Sequence, residues 1–158
     1  MTTRPEPPER IVPSAPPFSL DHVCIAVRRL STARTALVRM FGYVPRTEPV
    51  ENTRQQVRVQ FLRKQGSIDI KLIEPSTPDS PLASFLSQSG GGLHHIAFRT
   101  DATPEAIESL RALGAHIVTP PEPGEAFNDH LIAFAVVASG LRVEIIDTDT
   151  RRGELPEA

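Results

Sequence analysis

The sequence predicts an α+β fold in which two βαβββ modules pair into a cup-shaped mixed sheet with pseudo-twofold symmetry. One observation is a pair of similar strands: Asp-His-Val-Cys-Ile-Ala-Val at 21–27 and His-His-Ile-Ala-Phe-Arg-Thr at 94–100. A second similar pair follows, Ile-Lys-Leu-Ile-Glu-Pro at 70–75 and Val-Glu-Ile-Ile-Asp-Thr at 143–148. One such module leaves an apolar sheet face uncovered, so two copies are expected to pair around a cleft.

The spacing inside the two modules is the same. From His22 to Lys71 is 49 positions (71 − 22), and from His95 to Glu144 is also 49 (144 − 95). Both pairs are offset by 73 residues (95 − 22 and 144 − 71), which indicates an internal duplication. We call these four residues the corner residues. Because side chains alternate across a strand, the repeat predicts that all four point into one cleft.

Module one spans residues 18–75 and begins with a strand at 19–27. A helix is expected over 31–41, with Ser31 as its N-cap and Gly42 just beyond its end. The remaining strands of this module are predicted near 44–50, 57–63 and 67–74.

Module two spans residues 93–148 and repeats the order. A strand is expected at 93–100, then a helix at 104–113 with Pro104 in its first turn and Gly114 at its stop. The remaining strands of this module are predicted near 115–119, 131–138 and 141–147.

The rest of the chain is predicted to be a linker and two flexible ends around a single domain at 18–148. Residues 1–17 hold six of the sixteen prolines and are expected to form a disordered arm. The linker at 76–92 contains a predicted short helix at 81–87. Residues 149–158 are polar with no apolar period, so a flexible tail is expected.

The composition bounds the function classes. The chain has 158 residues, 39% of them hydrophobic, and a formal net charge of −2, so electrostatics gives no reason to expect nucleic acid or an anionic membrane as partner. No apolar run approaches the ~18 residues of a membrane span. The single cysteine, Cys24, allows no intrachain disulfide and agrees with a reducing, cytoplasmic location.

Several motifs appear in the order found in a known superfamily. They are Leu20-Asp21-His22-Val23, Glu74-Pro75 followed by the stretch 79–86, Gly92-Leu93-His94-His95-Ile96-Ala97-Phe98, and Val143-Glu144. The chain resembles the vicinal oxygen chelate superfamily of glyoxalases, bleomycin-resistance proteins, extradiol dioxygenases and methylmalonyl-CoA epimerases. The resemblance covers nearly all of 18–148 and is greatest to the epimerase branch. It also implies a homodimer.

The resemblance implies a metal site. In that family the positions that match His22, His95 and Glu144 bind a divalent metal, and these ligand types suit Co, Zn, Ni, Mn or Fe. The epimerases add a fourth ligand, Glu or Gln, at the position that matches Lys71. A charged ammonium has no lone pair for a metal, so Lys71 puts the metal in doubt.

Three interpretations of Lys71 remain open at the sequence level. Lys71 can act as an acid/base group beside a metal held by the other three corner residues. It can replace the metal, as a fixed positive charge that pairs with Glu144 and stabilises an enolate. It can also mark a pocket that binds a ligand without catalysis.

The resemblance favours a metal-dependent epimerase- or isomerase-like enzyme that stabilises an enolate or enediolate of an acyl thioester or related small oxygenated substrate. Lys71 and Glu144 are the candidate catalytic residues. The alternatives are a non-haem Fe(II) dioxygenase on the same triad and a metal-free binding, resistance or biosynthetic accessory protein.

Three further residues are candidate substrate contacts: Arg99, Gln60 and Cys24. Arg99 shares a strand face with His95 and can hold a substrate carboxylate, although a salt bridge at the strand end would explain it equally well. Cys24 shares a face with His22, and a buried hydrophobic role is the alternative for it. His94 is expected to face away from His95, in a structural role.

Overall fold

The computed structural model describes residues 17–157, so all of the predicted arm except Pro17 lies outside the described residues. The three helices of the described chain are α1 (Leu30–Phe41), α2 (Pro81–Ser89) and α3 (Thr103–Ala112). The longest has 12 residues, and none of the helices described is long and apolar enough to cross a membrane.

Nine strands form one mixed sheet. They are β1 (Ser19–Ala26), β2 (Val44–Pro45), β3 (Val50–Asn52), β4 (Val57–Arg63), β5 (Asp69–Pro75), β6 (Gly92–Arg99), β7 (His116–Pro123), β8 (Leu131–Val136) and β9 (Arg142–Ile146). Short 3₁₀ turns lie at Glu125–Phe127 and Ala138–Gly140.

The strand order β2-β4-β5-β1-β6-β9-β8-β7 confirms the predicted fold class and its pseudo-twofold symmetry. β1 and β6 pair antiparallel in the middle, and each has a parallel partner on its outer side, β5 and β9 respectively. The register also repeats, because Cys24 lies opposite Lys71 and Ala97 lies opposite Glu144, both offset by 73 residues (97 − 24 and 144 − 71).

The two faces of the sheet have different roles. Helices α1 and α3 cover the outer face, where Leu30 packs with Leu72, and Ile107 packs with Ile145. On the inner face, side chains from both modules pack together in one apolar cluster that includes Cys24, Phe61, Ile73, Phe127 and Phe134. The inner face is therefore where residues of the two modules meet.

The start of α1 differs from the prediction. The helix begins at Leu30, one residue before the predicted cap, and its N-cap Arg29 makes no side-chain hydrogen bond. The Leu30 amide instead donates to Glu74 Oε2 at 2.7 Å, so a carboxylate from β5 satisfies one of the free N–H groups. Ser31 lies inside the first turn. Gly42 ends the helix in the left-handed region (φ 70°), as predicted.

The strand predicted at 44–50 is split into β2 and β3. The amides of Arg46 and Thr47 both donate to the Phe61 carbonyl, at 2.8 and 3.3 Å, so the backbone leaves the regular ladder between the two short strands. The strand predicted at 115–119 is longer and continues to Pro123, with register shifts against β8.

The flexible tail predicted for 149–158 is a wrong prediction over its described part, 149–157. Thr47 forms a β-bridge with Glu154, the Glu48 amide donates to the Gly153 carbonyl at 2.9 Å, and Arg151 is only 2% exposed. Backbone pairing and a buried ion pair hold this segment in place, although it has no apolar period. Composition shows neither interaction.

Candidate functional site

The four corner residues meet on the inner face. His22 Nε2, His95 Nε2 and Lys71 Nζ each lie 3.0 Å from Glu144 Oε2, and Lys71 Nζ lies 3.2 Å from Oε1. All four residues are at most 2% exposed. The structure therefore brings together the residues that the repeat predicted to share a cleft.

Two phenylalanines that the sequence reasoning missed flank these residues. Phe61 lies opposite Lys71 and Phe134 lies opposite Glu144, and the two rings are also 73 residues apart (134 − 61). Phe61 contacts the His22 ring edge-on and Phe134 contacts the His95 ring edge-on, with 5.3 Å between ring centres in each case. The repeat offset is the sequence signal that could have identified them.

The residue before each corner histidine supports that histidine. Asp21 Oδ2 lies 2.7 Å from His22 Nδ1, and His94 Nδ1 lies 2.8 Å from His95 Nδ1. Asp21 and His94 are repeat-related (94 − 21 = 73), and β1 and β6 shift register at each of them.

These register shifts overturn the expectation that His94 faces away from His95. A β-bulge adds one residue on one strand and re-aims its side chain, so strict alternation fails there.

The pKa values of both His94 and His95 are lowered. Burial is the main cause for each: it lowers the pKa of His95 to about 3, and together with the Arg142 charge it lowers that of His94 to about 4. Both rings are therefore neutral near pH 7, with one ring proton each.

One placement of these protons satisfies every contact along the chain of rings. Arg142 can only donate, so its Nη1 donates to His94 Nε2 at 3.3 Å. His94 then carries its proton on Nδ1 and donates to His95 Nδ1. His95 is left with its proton on Nε2, from which it donates to Glu144 Oε2.

Asp21 is itself held by a residue of the C-terminal segment. Arg151 Nη2 forms a buried ion pair with Asp21 Oδ2, and its guanidinium lies 4.7 Å from the Phe61 ring centre and 4.8 Å from that of Phe127. Burial raises the pKa of Asp21, but the hydrogen bond to His22 and the Arg151 charge outweigh it and hold that pKa below its usual value. No sequence motif pointed to Arg151.

Glu144 is ionised despite its complete burial. Burial alone would raise its pKa, but the Lys71 ammonium and the His95 ring, with hydrogen bonds from His22 and His95, hold that pKa well below the usual range. A carboxylate at the centre of the corner residues therefore keeps its charge across the whole neutral range.

The donor set only partly fits a divalent metal. The donor atoms of His22, His95 and Glu144 lie within 4.8 Å of one another, and each histidine Nε2 is 3.0 Å from Glu144 Oε2, close to the ~3 Å separation of ligands around one ion. Lys71 contacts both oxygens of the carboxylate in this set, so one full positive charge already offsets its negative charge. The set with Lys71 charged does not fit a divalent ion, and metal binding stays a prediction.

A cavity of about 570 Å³ opens on the inner face beside the corner residues. Apolar side chains of Val57, Ile73, Phe85 and Phe134 form part of its wall, together with polar side chains of Arg54, His94 and Arg142. The corner residues are not part of this wall. Two residues of the wall contact His95: the His94 ring, at 2.8 Å between the Nδ1 atoms, and the Phe134 ring, at 5.3 Å between ring centres.

The three predicted substrate contacts lie in different places. Cys24 is on the inner face, fully buried, and burial raises the pKa of its thiol to about 12. Its sulfur and one ring nitrogen each of His94 and His95 lie within 4.8 Å of one another. The thiol is nevertheless protonated at neutral pH.

Gln60 and Arg99 lie away from the corner residues. Gln60 pairs with Leu72 on the outer face, where its Nε2 donates to the Thr47 carbonyl at 2.9 Å. Arg99 lies at the end of β6 and forms ion pairs with Asp21 (3.6 Å) and Asp149 (3.0 Å). The structure therefore supports the salt-bridge interpretation of Arg99.

The sequence is similar to those of known proteins. The chain is 37% identical over 116 residues to the uncharacterized protein YqjC of Bacillus subtilis, a match that covers 73% of the chain and 80% of that protein. It is 33% identical over 93 residues to the mitochondrial methylmalonyl-CoA epimerase of Bos taurus, which covers 58% of the chain and 52% of that enzyme.

Solved structures with a similar fold are also known. Methylmalonyl-CoA epimerase from Mycobacterium tuberculosis matches with a TM-score of 0.73 and 29% identity, over 81% of the chain and 86% of that enzyme. A hypothetical protein from Bacillus halodurans matches with a TM-score of 0.75 and 27% identity, over 89% of the chain and 99% of that protein. The model of the glyoxalase/bleomycin resistance protein/dioxygenase superfamily matches residues 21–134. The chain therefore belongs to the glyoxalase/bleomycin resistance protein/dioxygenase superfamily.

Proposed function

We propose that the protein is an epimerase- or isomerase-like enzyme that removes and returns a proton next to the carbonyl of an acyl thioester or a related small carbonyl compound. The observation that carries the proposal is the buried Lys71–Glu144 pair, with Nζ–O distances of 3.0 and 3.2 Å, next to a cavity of about 570 Å³. The similarity to methylmalonyl-CoA epimerases supports this reaction class.

The roles of the pair follow from its chemistry. Loss of an α-proton leaves negative charge on the carbonyl oxygen, and a preorganised cation in a water-poor site stabilises that enolate. Lys71 provides the cation, and Glu144, ionised across the neutral range, is the proton acceptor nearest to it.

The substrate reaches the pair through the wall of the cavity. The corner residues do not line the cavity, whereas His94 and Phe134 line it and contact His95, so the proposal requires the His94 and Phe134 side chains to move when substrate binds. Arg54 and Arg142 line the same cavity and are suited to bind anionic groups of an acyl thioester.

Deuterium exchange tests the proposal directly. The protein is incubated in D₂O with a panel of acyl-CoA thioesters that includes methylmalonyl-CoA, and mass spectrometry follows deuterium at the α-carbon. We expect exchange with wild type and a loss of at least about 100-fold with Glu144→Gln, since a general base contributes about 10²–10⁴-fold. His116→Gln, at an exposed position, serves as the control.

A binding protein without turnover is the second candidate. The complete burial of the corner residues behind the cavity wall favours it, because a ligand could fill the cavity without touching them. It predicts that an acyl thioester binds, by calorimetry, while no deuterium enters the α-carbon. The homodimer and the cytoplasmic location implied at the sequence level stay predictions.

A further inference from the structure

We infer that in this protein the Lys71 ammonium takes the electrostatic role of a divalent metal, and that the corner residues bind no divalent metal while Lys71 is present. The catalytic part of this inference rests on the proposed function. The part that concerns metal binding rests on geometry and charge alone.

The first support is the charge balance of the site. Among the corner residues, Glu144 provides the one carboxylate and Lys71 the one ammonium, and the charges of this pair cancel before any ion enters. A divalent ion bound by the two histidines and Glu144 would add two positive charges to a fully buried site that already contains a third. No second carboxylate among the corner residues neutralises this excess positive charge. Asp21, the carboxylate beside His22, is already paired with Arg151.

The second support is the direction of the hydrogen bonds. The row of contacts from Arg142 through His94 and His95 to Glu144 is satisfied when the His95 proton is assigned to Nε2. That nitrogen is one of the three donor atoms that would have to ligate the ion, and a ring nitrogen that carries a proton has no lone pair to offer. Metal binding would therefore require the His95 proton to move to Nδ1 and the His94 proton to Nε2. The His94 N–H would then face Arg142, which can only donate.

The third support is that Lys71 sits in a site that favours a cation. Two of its three N–H groups face the Glu144 oxygens, and the Phe127 ring centre lies 5.0 Å from Nζ. The third N–H finds no oxygen or nitrogen acceptor among residues 17–157. Once the His94 and Phe134 side chains move as the proposed function requires, it is available to a substrate oxygen, as an open coordination position of a metal would be.

Metal binding separates this inference from its alternatives. The wild type and the variants Lys71→Gln, Lys71→Glu and Lys64→Gln are stripped with a chelator and titrated with Co²⁺ by calorimetry. Elemental analysis after desalting gives the stoichiometry. Lys64 is the only other lysine of the chain and lies exposed, so its variant removes the same charge away from the site.

We expect no stoichiometric metal in wild type or Lys64→Gln, and about one ion per chain in Lys71→Gln and Lys71→Glu. The affinity of these two variants should exceed that of wild type by at least about 100-fold. If Lys71→Glu fails to fold without metal, Lys71→Gln and the wild-type titration still decide the question. One tightly bound ion in wild type would overturn the inference.

The deuterium exchange assay then tests the catalytic part. With an active thioester, wild-type exchange should be unchanged by EDTA and should fall at least about 100-fold in Lys71→Gln stripped of metal. Restoration of wild-type exchange only by added metal would overturn this part. Absence of exchange under every condition would instead overturn the proposed function, while the metal titration stands independently.

Discussion

At the scale of single residues, the buried charges depend on one another in pairs. Arg151 is the partner of Asp21, which in turn supports His22, and Lys71 is the partner of Glu144. Removal of one member of such a pair leaves the other charge in a site without water, which costs several kcal/mol.

Arg151→Met is therefore expected to lower the free energy of unfolding by about 3 kcal/mol or more, measured by urea denaturation. The loss comes from the Asp21 carboxylate, which is left with the His22 contact and the longer Arg99 ion pair (3.6 Å), and from the lost contacts with Phe61 and Phe127. The neighbouring Arg152→Met breaks a more exposed pair with Asp129 and should change stability by less than about 1 kcal/mol. Equal losses in the two variants would refute a structural role specific to Arg151.

The lowered pKa of His95 predicts a pH dependence of stability. The unfolded chain takes up a proton near pH 6.5, whereas folded His95 does so only near pH 3, so the stability from this residue is present above pH 6.5 and is lost as the pH falls towards 3. The slope is at most about 1.4 kcal/mol per pH unit for one proton.

Urea denaturation of His95→Gln between pH 7 and 5 checks this expectation. The variant should show a shallower decline of the unfolding free energy than wild type. His116→Gln, at an exposed position, should keep the wild-type slope. Parallel curves for wild type and His95→Gln would contradict the argument.

At the scale of elements, the connection between β5 and α1 depends on one carboxylate. Glu74 accepts from the Leu30 amide at 2.7 Å and from Arg58 at 3.0 Å. We expect Glu74→Ala to cost about 1 kcal/mol in thermal or urea unfolding, the usual cost of a lost helix cap. Ser31→Ala is the matched control and should change stability by less than about 0.5 kcal/mol. A larger loss of stability in Ser31→Ala than in Glu74→Ala would show that Ser31 caps the helix, as the sequence predicted.

The elements also show what the sequence could and could not predict. Periodicity and the 73-residue offset were sufficient for the mixed sheet with its pseudo-twofold symmetry and for the meeting of the corner residues. The alternation rule failed at His94 because a β-bulge changes the side on which one residue lies, and no local residue pattern marked it.

The cap of α1 and the docking of the C-terminal segment escaped prediction for a related reason. Each depends on a contact between distant parts of the chain, Leu30 with Glu74 and Asp21 with Arg151. Such contacts are properties of the folded molecule, so a window of sequence around Ser31 or Arg151 contains no trace of them.

At the scale of the whole molecule, the pseudo-twofold axis relates Lys71 to Glu144. Because the two positions are equivalent under this axis, a protein with glutamate at 71 and lysine at 144 should keep the ion pair. In chelator-treated buffer, we expect Lys71→Glu and Glu144→Lys each to lose about 3 kcal/mol or more, and the double variant to recover at least half of the summed loss. Losses in the double variant equal to the sum would show that the rest of the site does not tolerate the exchange.

The repeated register also has a consequence for how such a site arises. Duplication produced two copies of each of two positions, His22 with His95 and Lys71 with Glu144. Each copy has since been open to separate mutation. Lysine and glutamate codons differ only in their first base, so the genetic code places the residue at position 71 a single base substitution away from the residue at its repeat-related position. A descendant of this gene could therefore exchange an ammonium for a carboxylate in one mutational step, on a backbone that already holds His22, His95 and Glu144 together.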